Sequence, residues 1–334
     1  MSLGEFDLIE RYFWRPPGQG ARHSLVGNGD DCAVLTPAFG HHLAISTDTL
    51  VEGRHFLSTV DPARLGHKAL AVNLSDLAAC GARPLAFTLA LTLPRVDEAW
   101  LTAFAQGLLA LADAHDCELI GGDTTSGPLS IGITVMGEVK AGGALLRSGA
   151  QPGDDLWVSG YPGVARLALE GFRDTLEPPL SGLDFRLARD VLERPHPRVA
   201  LGLALQGLAH AAIDVSDGLL GDLAHVLRRS DVGAELALDA LPVHTVLAHR
   251  TRETQLDCIL AGGDDYELLF TTAPADREAV LARATQAGVA VSRIGRIQAD
   301  AGLRLFTGVL DEPAEAGRRQ WVDNRWTSFD HFKT

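Results

Sequence analysis

Apolar residues alternate with small or polar ones in three stretches of the first half of the chain. These stretches are Leu43–Ile45, Phe87–Leu93 and Ile131–Val135. Alternation with a period of two is typical of half-buried strands, and we expect them to pair in the antiparallel sense.

Helical spacing of apolar residues lies between these predicted strands. One helix should begin near Asp61-Pro62, where a capping residue precedes proline, and end at Gly81; a second should cover about Asp97 to His115. The pattern also predicts a short amphipathic helix over residues 4–12 and a mobile loop over residues 15–27. The order of strands and helices predicts an α+β fold with α/β layers, in which the helices cover one face of a mixed sheet.

A turn-rich segment, Arg147–Asp154, interrupts the chain near its middle. We place a domain boundary there, which gives an N-terminal domain over residues 1–149 and a C-terminal α+β domain over residues 150–334. In the second half the pattern predicts strands near 156–158, 211–213, 235–238, 268–272 and 294–297, helices near 165–169 and 218–228, and a polar, proline-containing stretch over 174–197.

Composition excludes several classes of function. The chain has 334 residues, 46% of them hydrophobic, and a formal net charge of −14. An acidic protein of this kind is a poor match for nucleic acid or anionic membranes. We expect a cytoplasmic protein, because the N-terminus does not read as a signal peptide and no apolar run is long enough to span a membrane. The four cysteines are far apart and form no C-x-x-C pair, which favours buried, reduced thiols.

The candidate chemistry lies in six acidic clusters set among small, apolar or hydroxyl residues. They are Gly29–Asp31, Ser46–Thr49, Asn73–Asp76, Gly121–Thr124, Asp214–Gly218 and Gly262–Asp265. An isolated carboxylate is costly to bury, and hard divalent cations prefer oxygen ligands. Several metals on several carboxylates suggest a polyphosphate between them, and therefore phosphoryl transfer. The lysine-containing phosphate loop G-x-x-x-x-G-K-[ST] does not occur, so a nucleotide must be held in another way.

Asp76 is the sharpest of these signals. It lies in a predicted helix that is apolar on nearly all sides, with Asn73 three residues earlier and therefore facing the same way. We expect Asp76 to be buried and to bind a metal, although a structural acid bonded to backbone would give the same pattern. Of the pair Asp30 and Asp31 only one should face the site, and we favour Asp31. Asp48 should lie at the end of its strand. For the clusters Gly29–Asp31 and Ser46–Thr49, the alternative is that their acids are ordinary turn residues.

The remaining clusters give weaker signals. Gly122 would let backbone amides approach a phosphate and Asp123 would hold its metal, although a plain turn is equally compatible. Asp214 and Ser216 alternate with Val215 and should face one side, whereas Asp217 doubles as a helix cap.

Two basic residues complete the set of candidates. Arg147 has no acidic neighbours in sequence and would clamp a phosphate or stabilise charge in the transition state, with a surface salt bridge as the alternative. His55 follows Asp48 closely, and a lone histidine is also commonly structural.

These motifs, in this order, resemble the thiamine-monophosphate kinase family of the aminoimidazole-ribonucleotide-synthetase-like superfamily. The matching segments are residues 4–9, 29–34, 46–56, 71–82, 121–125, 147–154, 213–219, 262–268 and 329–332. The resemblance implies an N-terminal domain that forms a β-barrel at the interface of a homodimer. It also implies direct in-line transfer of phosphate from ATP to thiamine monophosphate, the last step of thiamine diphosphate biosynthesis, with several magnesium ions and potassium.

The resemblance also assigns residues to roles. Asp76, Asp123, Asp217 and Arg147 would be catalytic. The implied metal ligands are Asp31, Ser46, Thr47, Asp48, Asp76, Asp123, Asp214 and Asp217. ATP would be contacted by Thr47, Gly122, Asp123, Arg147 and Ser216, and thiamine monophosphate by His55, Asp264 and Trp326. Asp264 departs from the family pattern, which has glutamate there, and its side chain is one methylene shorter.

Other members of the superfamily fit less well. A selenophosphate synthetase would carry a reactive cysteine or selenocysteine and a lysine near the N-terminus, and a carbamoyl-dehydrating hydrogenase-maturation protein would end in cysteine. This chain has neither N-terminal feature and ends in Lys333-Thr334. A nonenzymatic calcium-binding protein is a third alternative, but the spacing of an EF-hand is absent.

Overall fold

The computed structural model describes residues 5–15, 19–20, 22–28, 31–311 and 319–326. The chain divides into two compact units, the first comprising Met1–Leu77 and Ala82–Gly142 and the second Ala78–Gly81 and Gly143–Thr334. The predicted helix start at Gly4, the acid Asp30 and the C-terminal motif 329–332 lie outside the described residues.

A four-stranded mixed sheet forms the framework of the first unit. Its elements are α1 (Glu5–Tyr12), β1 (Ser24–Val26), β2 (Val34–Leu35), β3 (His41–Val51), α2 (Pro62–Ala79), β4 (Arg83–Leu93), α3 (Glu98–Ala114), β5 (Glu118–Ser126) and β6 (Ser130–Lys140). The strand order is β3-β6-β4-β5, and β1 pairs with β2 separately. β6 is antiparallel to both β3 and β4, as the alternation predicts, but β5 runs parallel to β4. The helix α3 between β4 and β5 makes this parallel pairing possible.

Helices α2 and α3 pack closely because glycines line their contact. A Cβ at Gly66 would lie 2.1 Å from the Phe104 carbonyl oxygen, and one at Gly107 would lie 1.8 Å from that of Ala63. Helix α3 begins close to the predicted position, and Asp97 caps it, with its carboxylate accepting from the amide N–H groups at the helix start. The fully buried side chains of this unit include Phe87 on β4 and Leu74 on α2. The helices therefore bring the apolar side of β4 and of α2 into one core.

The predicted loop over residues 15–27 is wrong in part, because it contains β1. Glu118, at the start of β5, accepts hydrogen bonds from the amides of His23 and Ser24 at 2.6 and 2.8 Å and from the Ser24 hydroxyl at 2.8 Å. Burial would raise the pKa of Glu118, but these bonds and the charge of Arg22 outweigh it and lower the pKa. One buried carboxylate thus attaches the N-terminal segment to the sheet.

The second unit is built on a seven-stranded sheet. Its elements are β7 (Asp155–Ser159), α4 (Val164–Phe172), α5 (Gly182–Glu193), α6 (Val199–Leu205), β8 (Ala209–Val215), α7 (Leu219–Ser230), β9 (Gly233–Ala237), α8 (Thr245–Ala248), α9 (Arg252–Ala261), β10 (Glu267–Thr272), α10 (Arg277–Gln286), β11 (Val291–Gln298), β12 (Gly302–Thr307) and β13 (Gln320–Val322). The strand order is β13-β12-β9-β11-β7-β10-β8. Within this second sheet, β9 and β12 form the only parallel pair among the described strands. The sheet is therefore mixed, as the α+β prediction requires.

Helix α5 lies inside the polar stretch that carries no strong apolar signal. It begins at a serine cap, where the Ser181 hydroxyl accepts from the Asp184 amide at 3.0 Å, and it packs on α4 through an edge-to-face contact between Phe172 and Phe185.

The fully buried Asp155 of β7 is held by the guanidinium groups of Arg277 and Arg293. The two guanidinium groups thus compensate the buried charge of Asp155.

Two further features bear on the sequence predictions. Within the described residues, no helix is both long and apolar enough to cross a membrane. Cys117 and Cys258 are buried free thiols, as expected, whereas Cys32 is exposed.

Candidate functional site

The best-defined polar group of the first unit consists of Ser46 and Asp48 on β3 and Asn73 and Asp76 on α2, here called the β3–α2 group. The Ser46 hydroxyl donates a hydrogen bond to the Asp76 carboxylate. The Asp48 amide donates to the Asn73 side-chain oxygen at 3.2 Å, and the Asn73 side-chain nitrogen donates to the Ala69 carbonyl at 3.0 Å. The prediction that Asn73 and Asp76 face the same way is confirmed, since both contact β3.

Burial differs within this group in a way the sequence does not predict. Asn73 is 1% exposed, whereas Asp76 and Asp48 are half-buried, so the expectation that Asp76 is fully buried is wrong. Asp48 also does not end its strand, because β3 continues to Val51. Asn73 therefore forms the buried anchor, and the two carboxylates reach toward solvent from regular secondary structure.

Thr47 lies on the opposite face of the sheet from the β3–α2 group. Its hydroxyl pairs with that of Thr134 on β6 at 2.8 Å, at an exposed position. Successive side chains of a strand point to opposite faces, so the Thr47 hydroxyl cannot join Ser46 and Asp48 on theirs.

Gly122 and Asp123 lie within β5, so the alternative of a plain turn is wrong. A Cβ at Gly122, whose φ is +152°, would lie 1.9 Å from the Leu89 carbonyl oxygen, so close approach of β4 explains this glycine. Asp123 is exposed and in register with Ala90. Through Ala90 the register continues to Gly132 and then Thr49, which places Asp123 on the same face as Thr47.

In the second unit, the chain after β8 forms a loop, Ser216–Gly218, fastened by a residue that the sequence reading overlooks. Asp214 is buried at the end of β8. The Asp222 carboxylate accepts hydrogen bonds from the amides of Ser216, Asp217 and Gly218 at 3.1, 3.1 and 3.2 Å. Gly218, not Asp217, is the residue at the cap position of α7, so the capping alternative for Asp217 is wrong. An acid in the first turn of a predicted helix is the signal that could have pointed to Asp222.

The charge of Asp222 is affected by its surroundings. Burial, together with the nearby carboxylate of Asp217, raises the pKa of Asp222 to about 7, although the three amide hydrogen bonds oppose the shift. Two carboxylates therefore lie close together at the start of α7, and a cation beside Asp217 would relieve their repulsion.

A second loop, Gly262–Tyr266, packs on the first. The Asp264 amide donates to the Ser216 carbonyl at 2.9 Å, and the Tyr266 amide donates to the Val215 carbonyl at 2.8 Å. A Cβ at Gly263 would lie 2.5 Å from the Ser216 carbonyl oxygen, so glycine is needed for this contact. The structure thus brings Asp264 beside Ser216.

Asp264 itself has an unusual backbone conformation. Asp264 and Tyr266 have left-handed φ values of 65° and 51°, and the Tyr266 hydroxyl donates to the Asp264 carboxylate at 3.0 Å. Next to it, the fully buried Asp265 accepts from the Gly163 amide at 2.8 Å. Burial raises the pKa of Asp265 well above its usual range, with the charges of Glu267 and Asp264 acting in the same direction.

Arg147 lies at the C-terminal end of α7, where its carbonyl accepts from the Ser230 hydroxyl at 3.2 Å. Burial and the positive charges of Arg228 and Arg147 lower the pKa of His225 on α7, whereas the charge of Asp217 opposes this. The charges of Arg147 and Asp217 therefore act on the same histidine, although the Arg147 backbone and Asp217 lie near opposite ends of α7.

The remaining predicted residues are His55, Asp31 and Trp326. The ring nitrogen Nδ1 of His55 accepts from the Val51 amide at 3.0 Å, just after β3, and Asp31 is exposed in a bend before β2. The Trp326 ring donates to the Asp257 carboxylate on α9 at 2.6 Å and packs on the core of the second unit.

The donor set fits magnesium chemically, although the described side chains do not by themselves form a complete metal site. Among the described residues, no three histidine, cysteine, aspartate or glutamate side chains form a metal-binding set. The candidate donors, however, are carboxylate and hydroxyl oxygens throughout, and magnesium is commonly bound by one or two carboxylates together with water and substrate phosphates. The arrangement therefore suits metals that arrive with a nucleotide.

Comparison with known proteins gives consistent matches. The chain matches the family models described as AIR synthase related protein, N-terminal domain, over residues 29–139 and C-terminal domain over residues 151–308. It is 46% identical to the thiamine-monophosphate kinase of Escherichia coli O157:H7, with 100% of both chains covered.

Solved structures agree with these matches. A thiamine-monophosphate kinase from Stenotrophomonas maltophilia K279a superposes with a TM-score of 0.83 at 48% identity, covering 91% of this chain and 97% of that one. AaThiL complexed with AMPPCP and TMP gives a TM-score of 0.70 at 28% identity, covering 86% and 89%.

Proposed function

The chain belongs to the thiamine-monophosphate kinase family, and from this premise we propose that it transfers the terminal phosphoryl group of ATP directly to thiamine monophosphate. The observation that carries the proposal is the set of oxygen donors in both units at the motif positions: the β3–α2 group in the first and Asp214–Asp217 in the second. The related AaThiL structure contains AMPPCP and TMP, which supports this choice of reactants.

We assign the metal ligands to Asp31, Ser46, Thr47, Asp48, Asp76, Asp123, Asp214 and Asp217. Because its hydroxyl is paired with Thr134, Thr47 would act through its backbone carbonyl. When bound, magnesium ions would neutralise the charge that keeps two phosphates apart. Potassium, which the resemblance also implies, has no residue assigned to it.

The remaining residues bind and orient the reactants. Ser216 would contact ATP through its hydroxyl, because its amide is already bonded to Asp222. Arg147, whose exposed guanidinium is a fixed positive charge, would bind a phosphate of ATP. No strong general base is required, since the attacking phosphate oxygen of thiamine monophosphate is already deprotonated. His55, Asp264 and Trp326 remain the candidates for contacting that substrate.

A second copy of the chain is part of this proposal. The face of the first sheet that α2 and α3 do not cover exposes Ile45 by 62%, Leu43 by 40% and Val51 by 40%. β3 and β5 are the two edge strands, separated by β6 and β4, so Asp48 and Asp123 are about 14 Å apart across the sheet by ordinary strand spacing. They also face opposite sides, so one copy does not bring both to one ion. A homodimer that covers this face as a β-barrel would bury these apolar side chains and place Asp123, which lies on the same face, at the contact between the copies.

The activity is tested by ADP release. Thiamine monophosphate should stimulate release strongly in the presence of magnesium, whereas other phosphate monoesters should not. The dependence on magnesium should be steeper than first order once ATP is saturated with the metal. Equal stimulation by unrelated phosphate monoesters would exclude a thiamine-monophosphate kinase.

The dimer is tested by mixing inactive variants. If ligands come from both copies, Asp76→Asn and Asp123→Asn chains should restore about a quarter of the activity after subunit exchange, because half of the dimers are mixed and each has one intact site. The matched control pairs Asp48→Asn with Asp76→Asn, both in the β3–α2 group, and should restore nothing. Failure of the first pair despite verified exchange would place all ligands in one copy.

A further inference from the structure

The loop Ser216–Gly218 is held by one side chain that is not among the assigned site residues. Asp222 is 4% exposed, and one of its carboxylate oxygens, Oδ2, accepts all three consecutive amide hydrogen bonds of the loop. A buried acceptor that satisfies three donors fixes both the backbone and the directions in which the loop side chains leave it.

The same loop carries two of the residues assigned to the nucleotide and its metal. The side chain of Asp217 leaves from the middle of the fastened segment, and Ser216 also accepts the Asp264 amide through its carbonyl at 2.9 Å. The amides that a phosphate would otherwise bind are therefore occupied by Asp222. A ligand at this loop would meet the Ser216 hydroxyl and the Asp217 carboxylate, and the positions of both depend on the fastened backbone.

We propose that Asp222 is a positioning residue, whose carboxylate holds the backbone of Ser216–Gly218 so that the Ser216 hydroxyl and the Asp217 carboxylate meet the ATP–metal complex. The inference rests on the proposed function, because it takes the roles of Ser216 and Asp217 from there. It adds that Asp222 touches neither reactant and acts through these two neighbours.

Three substitutions at Asp222 test the proposal. Asp222→Ala removes the acceptor and should lower kcat/KM for ATP by about a hundredfold, the size expected when a reacting group is misplaced by about 1 Å. Asp222→Asn keeps an oxygen at the same distance, and its kcat/KM for ATP should remain within about fivefold of that of the parent enzyme. Asp222→Glu keeps the charge but moves the oxygen by a methylene, so its kcat/KM should be well below that of Asp222→Asn.

A readout other than activity separates positioning from stability. The rise in melting temperature caused by ATP with magnesium should shrink strongly in Asp222→Ala, while amide exchange should speed up only at residues 216–218. The matched control is Asp97→Ala, which removes another carboxylate that accepts helix-start amides but has no proposed contact with the reactants. It should lower the melting temperature and leave the nucleotide-induced rise intact.

The outcomes discriminate clearly. If Asp222→Ala is less stable but keeps its KM for ATP and its nucleotide-induced rise, the role is structural only and the proposal is overturned. If Asp222→Ala does not fold, the Asp222→Asn and Asp222→Glu variants decide. Equal kcat/KM values for ATP in these two variants would overturn the proposal. If Asp217→Ala and Ser216→Ala also leave ATP binding and turnover unchanged, the proposed function itself has misassigned the loop.

Discussion

The two units present their acidic residues in contrasting ways. In the first unit, the β3–α2 group lies on a strand and a helix, and its members bond to one another or to backbone across those elements. In the second unit, the corresponding acids lie on two irregular loops. Asp222 accepts the backbone amides of one loop, whereas the buried Asp265 of the other loop accepts the Gly163 amide in front of α4.

The difference has a physical cause. Regular elements satisfy their own backbone hydrogen bonds, so only the side chains of the β3–α2 group need partners. An irregular loop leaves amides without partners from a regular element, and in the first loop the buried carboxylate of Asp222 accepts them, which places additional negative charge near the site. The raised pKa values of Asp222 and Asp265 reflect burial of that charge. We therefore expect activity in the first unit to be lost when side chains of the β3–α2 group are changed. In the second unit we expect it to be lost when the backbone of the loops is displaced.

The largest effect is expected from Asp76→Asn in the first unit. This change removes a proposed metal ligand while keeping the shape and an acceptor for the Ser46 hydroxyl. Turnover should fall by about a thousandfold or more, the size typical of losing a preorganised electrostatic group, with the melting temperature nearly unchanged. Turnover and thermal unfolding of the same preparation measure both.

The matched control is Asp113→Asn, an exposed acid that pairs with Arg15. It should change neither quantity by much, because surface ion pairs contribute little. Near-normal turnover in Asp76→Asn would remove Asp76 from the site and leave the β3–α2 group as a structural feature.

The next effect tests the buried anchor of the same group. Asn73→Ala leaves the Asp48 amide and the Ala69 carbonyl without their side-chain partner. We expect a loss of about 1–3 kcal/mol in the free energy of unfolding and about a tenfold loss of turnover, because β3 and α2 would no longer be tied at this point. Urea unfolding and steady-state kinetics measure these. A variant with lower stability but full turnover would show that Asn73 does not position Asp48.

The contrast between the units also explains which features were predictable. Helix starts such as Asp97, the alternation in β4 and β6 and the shared face of Asn73 and Asp76 follow from local periodicity and capping, and they are confirmed. A pattern of residues can report such features because the element itself sets which side chains share a face.

Features that depend on distant partners were missed. β1 is ordered by Glu118, far away in sequence, and the Gly122 conformation depends on the backbone of β4. Asp222 is a different case, because it lies only 6, 5 and 4 residues from the amides that it accepts, and its place in the first turn of α7 was a signal that was overlooked. Tertiary contacts of this kind override local signals, so the loops of the second unit were the less predictable half of the site.

A smaller effect should separate backbone from side chain in the second unit. Asp264→Gly removes the carboxylate but suits the left-handed φ of 65°. The free energy of unfolding should change by less than about 1 kcal/mol, since relief of the conformation offsets loss of the Tyr266 bond and the added flexibility of the unfolded chain. The KM for thiamine monophosphate should rise about tenfold while the KM for ATP stays unchanged, and steady-state kinetics with each substrate varied in turn measures both. An equal rise in both would argue against a selective contact with that substrate.

The smallest effect concerns the pH dependence of stability at the second loop. The pKa of Asp265 is raised by burial and by neighbouring acids, so its folded-state pKa lies above the unfolded one of about 4. Its favourable contribution is complete below that pH and is lost as pH rises through the raised pKa, by about 1.4 kcal/mol for each unit of the shift. Asp265→Asn keeps an acceptor for the Gly163 amide and removes this loss. Its free energy of unfolding should therefore improve relative to the parent as pH rises from 4 to 8.

Asp311 provides a control of opposite sign for that measurement. Its hydrogen bond with Arg293, chiefly, lowers the pKa of the carboxyl, so its contribution is present above the unfolded pKa and is lost as pH falls. Asp311→Asn should then be most damaging near neutral pH and least damaging in acid, the reverse of Asp265→Asn. If urea unfolding gives the same difference in free energy of unfolding between Asp265→Asn and the parent at every pH, burial of the ionised carboxylate does not destabilise the protein. The second loop would then resemble the β3–α2 group, in which only the side chains need hydrogen-bond partners.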